Sequence, residues 1–245
     1  MDNALYVGLS RQMTLRRELD IVANNIANAN TTGFKVEDLM VRTEQAKPAK
    51  TLDGSAPVKF VLDTGVARDF SQGAMTKTGG DFDLAIEGKG FFRVQTAGGD
   101  RYTRDGRFTT NPEGQLVTQA GHPVLDDGGG PLTIDPRLGP VNVGKDGIVT
   151  QGAIRVGKIA VVRADDLSTM AKDGDNLYRN TANTTPQPAP DAIVHQGMLE
   201  ASNVQPVIEI TKLIEIQRAY EGVARMMDNT SELSRTAVER LGKAN

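Results

Sequence analysis

The chain has 245 residues, 31 acidic and 28 basic side chains, and a formal net charge of −3. That is enough length for one large or two modest domains, with no bulk electrostatic case for nucleic acid or an anionic membrane. Cysteine and tryptophan are absent and aromatics are only 4%, which excludes disulfides and Cys-ligated metals and leaves few aromatic walls for a substrate cleft. No stretch approaches the roughly 18 to 20 apolar residues of a membrane span. Arg11, Arg16, Arg17, Glu18 and Asp20 break any signal-peptide core. Composition alone therefore points to the cytoplasm, and an export route that reads an uncleaved terminus would leave the same pattern.

In chain order, the first element follows the helical period. Leu15, Leu19, Val22, Ile26 and Ala29 alternate in steps of four and three, the spacing of a packing seam, and Leu5 and Leu9 extend it in a less regular phase. A helix over 5–30 would be about 39 Å long at 1.5 Å per residue, and Gly33 suits the left-handed position that follows a helix end. Asn24, Asn25, Asn28 and Asn30 are poor helix formers. Either the helix frays there, or Ala23, Ala27 and Ala29 admit a close neighbour to which the carboxamides bond.

Pro48, Gly54, Pro57, Gly65 and Gly73 punctuate residues 36–75, which read as short strands and extended connections. Residues 79–165 read as consecutive short strands: 82–86, 91–94 and 101–103 with a turn at 98–100, then 115–118 after Asn111-Pro112-Glu113-Gly114. Strand 148–149 follows Lys145-Asp146-Gly147, and 155–162 is the longest candidate. Pro-rich 184–190 is expected to be an extended connector. Ser202-Asn203 offers N-cap chemistry for a second helix running to about Leu241. There Leu213, Ile216, Tyr220, Val223, Met227, Thr230, Ser234, Ala237 and Leu241 hold the heptad alternation. The fold class is α+β. Terminal helices form a coiled-coil-like domain (1–34 plus 204–245), joined by an extended or β connector (35–78 plus 184–203) to an inserted mainly-β domain (79–183).

Catalytic chemistry is not apparent. Gly88-Lys89 fails as a phosphate loop, with Asp83 and Gly90 at the wrong positions, and Asp81-x-Asp83 lacks the glycine and closing Glu of a calcium loop. His122 and His195 have no triad partners in sequence, and the pairs Asp126-Asp127 and Asp165-Asp166 read as solvated turns. No catalytic, cofactor or metal-binding residue is assigned.

Three blocks do carry a pattern. They are Ala23-Asn24-Asn25-Ile26-Ala27-Asn28-Ala29-Asn30-Thr31-Thr32-Gly33-Phe34-Lys35, then Asp83 to Phe92 with Tyr102-Thr103-Arg104-Asp105-Gly106-Arg107-Phe108, then Ser202-Asn203-Val204 with Glu215-Ile216-Gln217-Arg218-Ala219-Tyr220-Glu221. In this order they resemble the bacterial flagellar rod and hook proteins, and they bracket nearly the whole chain. The opening Met1 to Gln12 is most similar to a proximal-rod member, with a distal-rod member as the alternative. The resemblance implies a structural subunit of the basal-body rod, which crosses the periplasm as a hollow shaft, transmits torque to the hook and forms the export channel. It implies exit through the flagellar type III export apparatus without signal cleavage. The implied partners are other rod subunits and copies of itself in a helical assembly, with no nucleic acid and no membrane insertion. The terminal helices then become the assembly interface, carried by Leu5, Leu9, Leu15, Leu19, Val22, Asn24, Asn25, Ile26, Asn28, Ala29, Asn30, Thr32, Gly33 and Phe34 at one end. Leu213, Ile216, Gln217, Tyr220, Val223, Met227 and Leu241 carry it at the other. A β-rich enzyme and a binding module with coiled-coil arms are the rival classes.

Overall fold

The computed structural model describes residues 2–45, 59–182 and 184–242. It is α+β, with a helix at each end and strands between. Helix α1 spans Asp2–Ala27 and α2 spans Pro206–Gly242. The strands are β1 (Glu37–Gln45), β2 (Lys59–Arg68), β3 (Met75–Lys77), β4 (Leu84–Glu87), β5 (Phe91–Thr96), β6 (Gly99–Thr103), β7 (Phe108–Thr110), β8 (Leu116–Thr118) and β9 (Val141–Val143). They continue with β10 (Ile148–Gln151), β11 (Ile154–Lys158), β12 (Val161–Arg163), β13 (Met170–Lys172), β14 (Leu177–Asn180), β15 (Gln187–Pro188), β16 (Ile193–Gln196) and β17 (Met198–Glu200). The chain divides into a helical unit of residues 1–27, 37–68 and 205–245, and a β unit of residues 28–36 and 69–204.

In the helical unit, α1 and α2 pack together, and the antiparallel hairpin β1–β2 packs on α1. The hairpin belongs with the helices, whereas residues 35–78 were expected to form a connector. Its strands run nine and ten residues, longer than the short pieces expected. An irregularity at Met40/Val41, opposite Gly65 at φ +135°, bends it. Such a bulge interrupts the alternation that would otherwise mark a strand. Pro48, Gly54 and Pro57 lie outside the described residues.

The β unit is built on a six-stranded antiparallel sheet ordered β13-β14-β6-β5-β12-β15. Successive side chains on a strand face opposite sides. Phe92 and Val94 enter one core with Leu84, Ile86 and Val124, while Phe91 enters another with Tyr102, Met170 and Tyr178. Both faces are covered, so adjacent phenylalanines are both buried. The expected strand 155–162 is instead two strands in different sheets. β11 pairs with β10, and β12 pairs with β5 and β15. The break falls where Ile159 donates to the Gly147 carbonyl and Ala160 to that of Leu125. The Pro-rich 184–190 segment is no free connector. Gln187–Pro188 pairs with β12, and the Ala189 N–H donates to the Val161 carbonyl. Pro188 is tolerated because β15 is the edge strand.

The helix limits shift by a few residues from those expected. The second helix is not capped by Ser202-Asn203 but starts at Pro206, because Asn203 is used elsewhere. Its Oδ1 accepts from the Val36 N–H at 2.8 Å and its Nδ2 donates to the Asp69 carbonyl at 2.8 Å. The expected turns at 111–114 and 145–147 are present, with Gly114 and Gly147 at positive φ. At Gly106 a side chain has no room, since a Cβ would sit 1.6 Å from the Leu84 carbonyl oxygen. We expect Gly106→Ala to cost about 3 kcal/mol or more, by forcing apart two backbone segments. Urea unfolding of the variant checks this.

Candidate assembly interface

The residues expected to form the interface fall into two kinds: those the chain uses on itself and those it leaves outside. The first kind begins with the helix pair. Leu15, Val22 and Ile216 are buried, with Leu19, Ile26, Leu213, Tyr220 and Val223 packed around them. Burying such side chains is worth about 2 kcal/mol each. The helices run antiparallel, since Gly8 faces Met227 and Asn25 bonds Glu209. A Cβ at Gly8 would come within 2.8 Å of the Met227 Cγ, so the glycine admits the thioether. Leu5 is half-buried. The side chain of Leu241 lies outside the described residues.

Asn25 is fully buried in the helical unit. Its Nδ2 donates to the Glu37 carbonyl and to Glu209 Oε2, both at 2.8 Å, and its Oδ1 accepts from the Glu37 N–H at 3.0 Å. One carboxamide thus pairs with the backbone at the start of β1 and with the first turn of α2. Glu209 also meets Lys212 Nζ at 2.9 Å, and Lys212 reaches Asp38 at 3.0 Å. Burial pulls the Lys212 ammonium down, but the hydrogen bonds to Glu209 and Asp38 outweigh it and hold it above the ordinary lysine value. Glu37 is in turn bound by Arg68 at 2.7 Å. Of the two readings offered for the asparagines, Asn25 follows the second: it is not frayed, and its carboxamide bonds to a neighbouring backbone, that of Glu37 in the same chain.

Past the end of α1, the same sequence block is built into the β unit. Asn28 Oδ1 and its carbonyl accept from the Thr31 hydroxyl and N–H, both at 3.1 Å. The Thr32 hydroxyl donates to Asp105 Oδ1 at 2.7 Å, and its carbonyl accepts from Asn176 Nδ2 at 2.7 Å. Gly33 sits at φ +67°, and a Cβ there would lie 2.3 Å from the Arg104 backbone. Its left-handed conformation is a docking requirement and not the expected helix stop, since α1 ends six residues earlier at Ala27. Phe34 is buried under the Lys172 ammonium, 4.3 Å from the ring centre.

Lys35 then enters a buried charge cluster. Its Nζ donates to Glu200 Oε1 and to the Ser71 carbonyl, both at 2.6 Å. Arg104 Nη1 donates to Glu200 Oε2 at 3.0 Å, and its Nη2 donates to the Gly88 carbonyl at 2.6 Å. The side chains of Lys35 and Glu200 are wholly inaccessible. Burial lowers the pKa of both cations, more strongly than Glu200 raises it.

Sequence reasoning missed Glu37, Arg104, Glu200, Asn203 and Glu209 as partners of these blocks. The available signal was a charged residue amid small and apolar neighbours, as in Met198-Leu199-Glu200-Ala201.

The outward set is different. Leu9, Asn24, Asn30 and Gln217 are exposed, and Ala29 is half-buried. Beside Leu9, Tyr6 is 62% and Met13 66% exposed; on α2, Val207 is 78%, Ile210 46% and Ile214 44% exposed. Each trio is spaced three then four, a stripe lying off the inner seam.

Comparison with known proteins settles the family. Residues 5–35 match the model "Flagella basal body rod protein", 85–151 the "Flagellar hook protein FlgE/F/G D1 domain" and 195–240 the "Flagellar basal body rod FlgEFG protein C-terminal". The chain is 86% identical over its full length, and that of the relative, to the flagellar basal-body rod protein FlgF of Caulobacter vibrioides. The chain belongs to the flagellar basal-body rod protein family. It is 39% identical to the FlgF protein of Mesorhizobium japonicum over 99% of both chains. Against the FlgG protein of Buchnera aphidicola subsp. Schizaphis graminum it is 35% identical over 88% of this chain and 90% of that one. The three rod-family matches cover the three places where the chain buries Asn25, Arg104 and Glu209. Lys35 ends the first match, and Glu200 lies within the third.

Two outcomes follow. Asn25→Leu strands the Glu37 backbone groups and the Glu209 carboxylate, so we expect a loss of about 2–4 kcal/mol in urea unfolding. Lys35 responds to pH. Between its lowered value and the ordinary 10.5, the unfolded chain holds a proton that the folded chain has released. Stability therefore rises with pH across that window and is lost as pH falls through it. Unfolding free energies measured up to pH 10.5 should rise for the parent relative to Lys35→Met; parallel curves would contradict this.

Proposed function

We propose that the chain is a structural building block of the proximal flagellar rod. Its paired terminal helices act as a coiled-coil-like polymerisation element, and its β unit is a decoration of that element. The role is mechanical rather than catalytic: copies of the chain and neighbouring rod subunits stack into a hollow shaft that carries torque to the hook and encloses the export channel. Export through the flagellar type III apparatus, without signal cleavage, delivers the subunit to the periplasm. Among the described residues no helix is long and apolar enough to cross a membrane, which suits a subunit held by protein contacts. The proximal position is favoured over the distal one by the relatives: 86% and 39% identity to proteins named FlgF, against 35% to one named FlgG.

The observation that carries the assembly reading is the pair of outward stripes, Tyr6-Leu9-Met13 and Val207-Ile210-Ile214, left uncovered on helices whose inner seam is already filled. Exposed contiguous apolar surface of this kind marks a contact with another protein. Copies joined head to tail through unlike surfaces extend without closing.

Met13→Asp and Ile210→Asp test this. Both positions are exposed, so the unfolding free energy should change by about 0.5 kcal/mol or less. In a strain carrying either variant as its sole copy, hook and filament should be lost and swimming in soft agar abolished. Normal swimming by both variants would remove the support for these stripes as the interface. Intact flagella in the gene deletion, with a lost metabolic activity, would favour an enzyme instead.

A further inference from the structure

We infer that Lys35, Arg104 and Glu200 form an electrostatic latch in the β unit that lets segment 28–36 dock only once segment 198–204 is in place. These segments are covalently continuous with α1 and α2. The inference concerns the folding of the β unit and stands whether or not the chain assembles into a rod.

Two buried cations share one buried carboxylate. Glu200 Oε1 accepts from Lys35 Nζ at 2.6 Å and from the Gly73 N–H at 2.9 Å, and Oε2 accepts from Arg104 Nη1 at 3.0 Å. Arg104 is fixed independently of the terminal segments by the Ile86 and Gly88 carbonyls and by stacking 5.5 Å over Phe91. Asp69 is the further charge that acts on Lys35.

If segment 198–204 is absent, docking 28–36 drives the Lys35 ammonium into an enclosed site beside the Arg104 guanidinium. Two like charges would then be buried without the anion, so docking would cost either their repulsion or the proton of Lys35. Once Glu200 is in place, the same docking gains an ion pair and the Gly33 N–H to Glu200 carbonyl hydrogen bond at 2.8 Å. The Val36 N–H to Asn203 bond and the Asn203 N–H to Phe34 carbonyl bond form in the same step. The dependence is asymmetric. Glu200 and Arg104 still form a neutral pair without Lys35, whereas Lys35 and Arg104 without Glu200 repel.

That asymmetry separates a latch from an ordinary buried contact. Amide hydrogen exchange on the full chain reads it, with Gly33, Asp69 and Asn203 reporting on segment 28–36 and Ala201 reporting on 198–204 through its bond to the Ala74 carbonyl. Glu200→Gln should raise exchange at all four amides together, on the order of a hundredfold. Lys35→Met should raise it tenfold or less, since it leaves a balanced Arg104–Glu200 pair. Adding Lys35→Met to Glu200→Gln should reverse at least tenfold of the loss, by removing one uncompensated cation. If Glu200→Gln alone does not fold, recovery of a cooperative urea transition in the double variant reads the same rescue. Unchanged protection at Gly33 in Glu200→Gln would overturn the latch. So would a double variant no better than Glu200→Gln, which would leave an interaction of packing rather than charge.

Discussion

A buried carboxamide must find a partner for each of its donors and acceptors, and the way Asn25 does so organises the helical unit. It lies on the last turns of α1, and its partners are the first residue of β1 and the first turn of α2. Three chain segments, one of them 184 residues further along the sequence, thus meet at one side chain. A leucine seam would bring α1 and α2 together in several sliding registers. A polar group with directional partners permits one, the role that buried asparagines have in coiled coils. The apolar seam supplies the gain from burial and Asn25 selects the alignment.

The β unit applies the same logic to charge. Glu200 sits between two cations in a place closed to bulk solvent, and Gly33, Phe34 and Lys35 are shaped to fit around it. The sequence block from Ala23 to Lys35 therefore has two employments. Its first part closes the helical unit through Asn25, and its last part closes the β unit through Lys35. A stretch that carries the family resemblance is thus largely spent inside the subunit, while plain apolar residues such as Met13 and Ile210 are left to face outward. In this reading the signature makes the subunit, and the surface that copies share is less distinctive in composition.

The helices and their inner seam were legible because the three-four alternation is a direct record of which side is buried, as Leu15, Leu19, Val22 and Ile26 show. The turns at 111–114 and 145–147 were legible for a similar reason: Pro and Gly carry their backbone preferences with them. The β1–β2 hairpin was harder to read. Glu37 to Gln45 is mostly polar, and its bulge breaks the alternation. The split at Ile159–Ala160 depends on partners more than 30 residues away in part, such as Leu125 and Arg93, which no local pattern records. The partners of Lys35 and Asn25 were invisible for the same reason. A lone lysine or asparagine looks alike whether it will be solvated or enclosed, and only the fold brings its acceptor. The outward stripes could have been found, since Tyr6-Leu9-Met13 and Val207-Ile210-Ile214 repeat at helical spacing. Of these only Leu9 is among the expected interface residues, because the inner seam is the stronger pattern.

The contact between Gly8 and Met227 carries a chemical liability. With eight methionines and no cysteine, the chain's sulfur is all thioether, and peroxide takes it to the sulfoxide, which methionine sulfoxide reductases can reverse. Met170, almost wholly enclosed beside aromatic rings in the β unit, is shielded from such attack. Met227 is only half-buried, and it fills the space left by a missing side chain. Adding an oxygen there would place a polar, bulkier group against bare backbone. Oxidation at Met227 would thus loosen the far end of the helix pair from Asn25 while the registered end stayed shut.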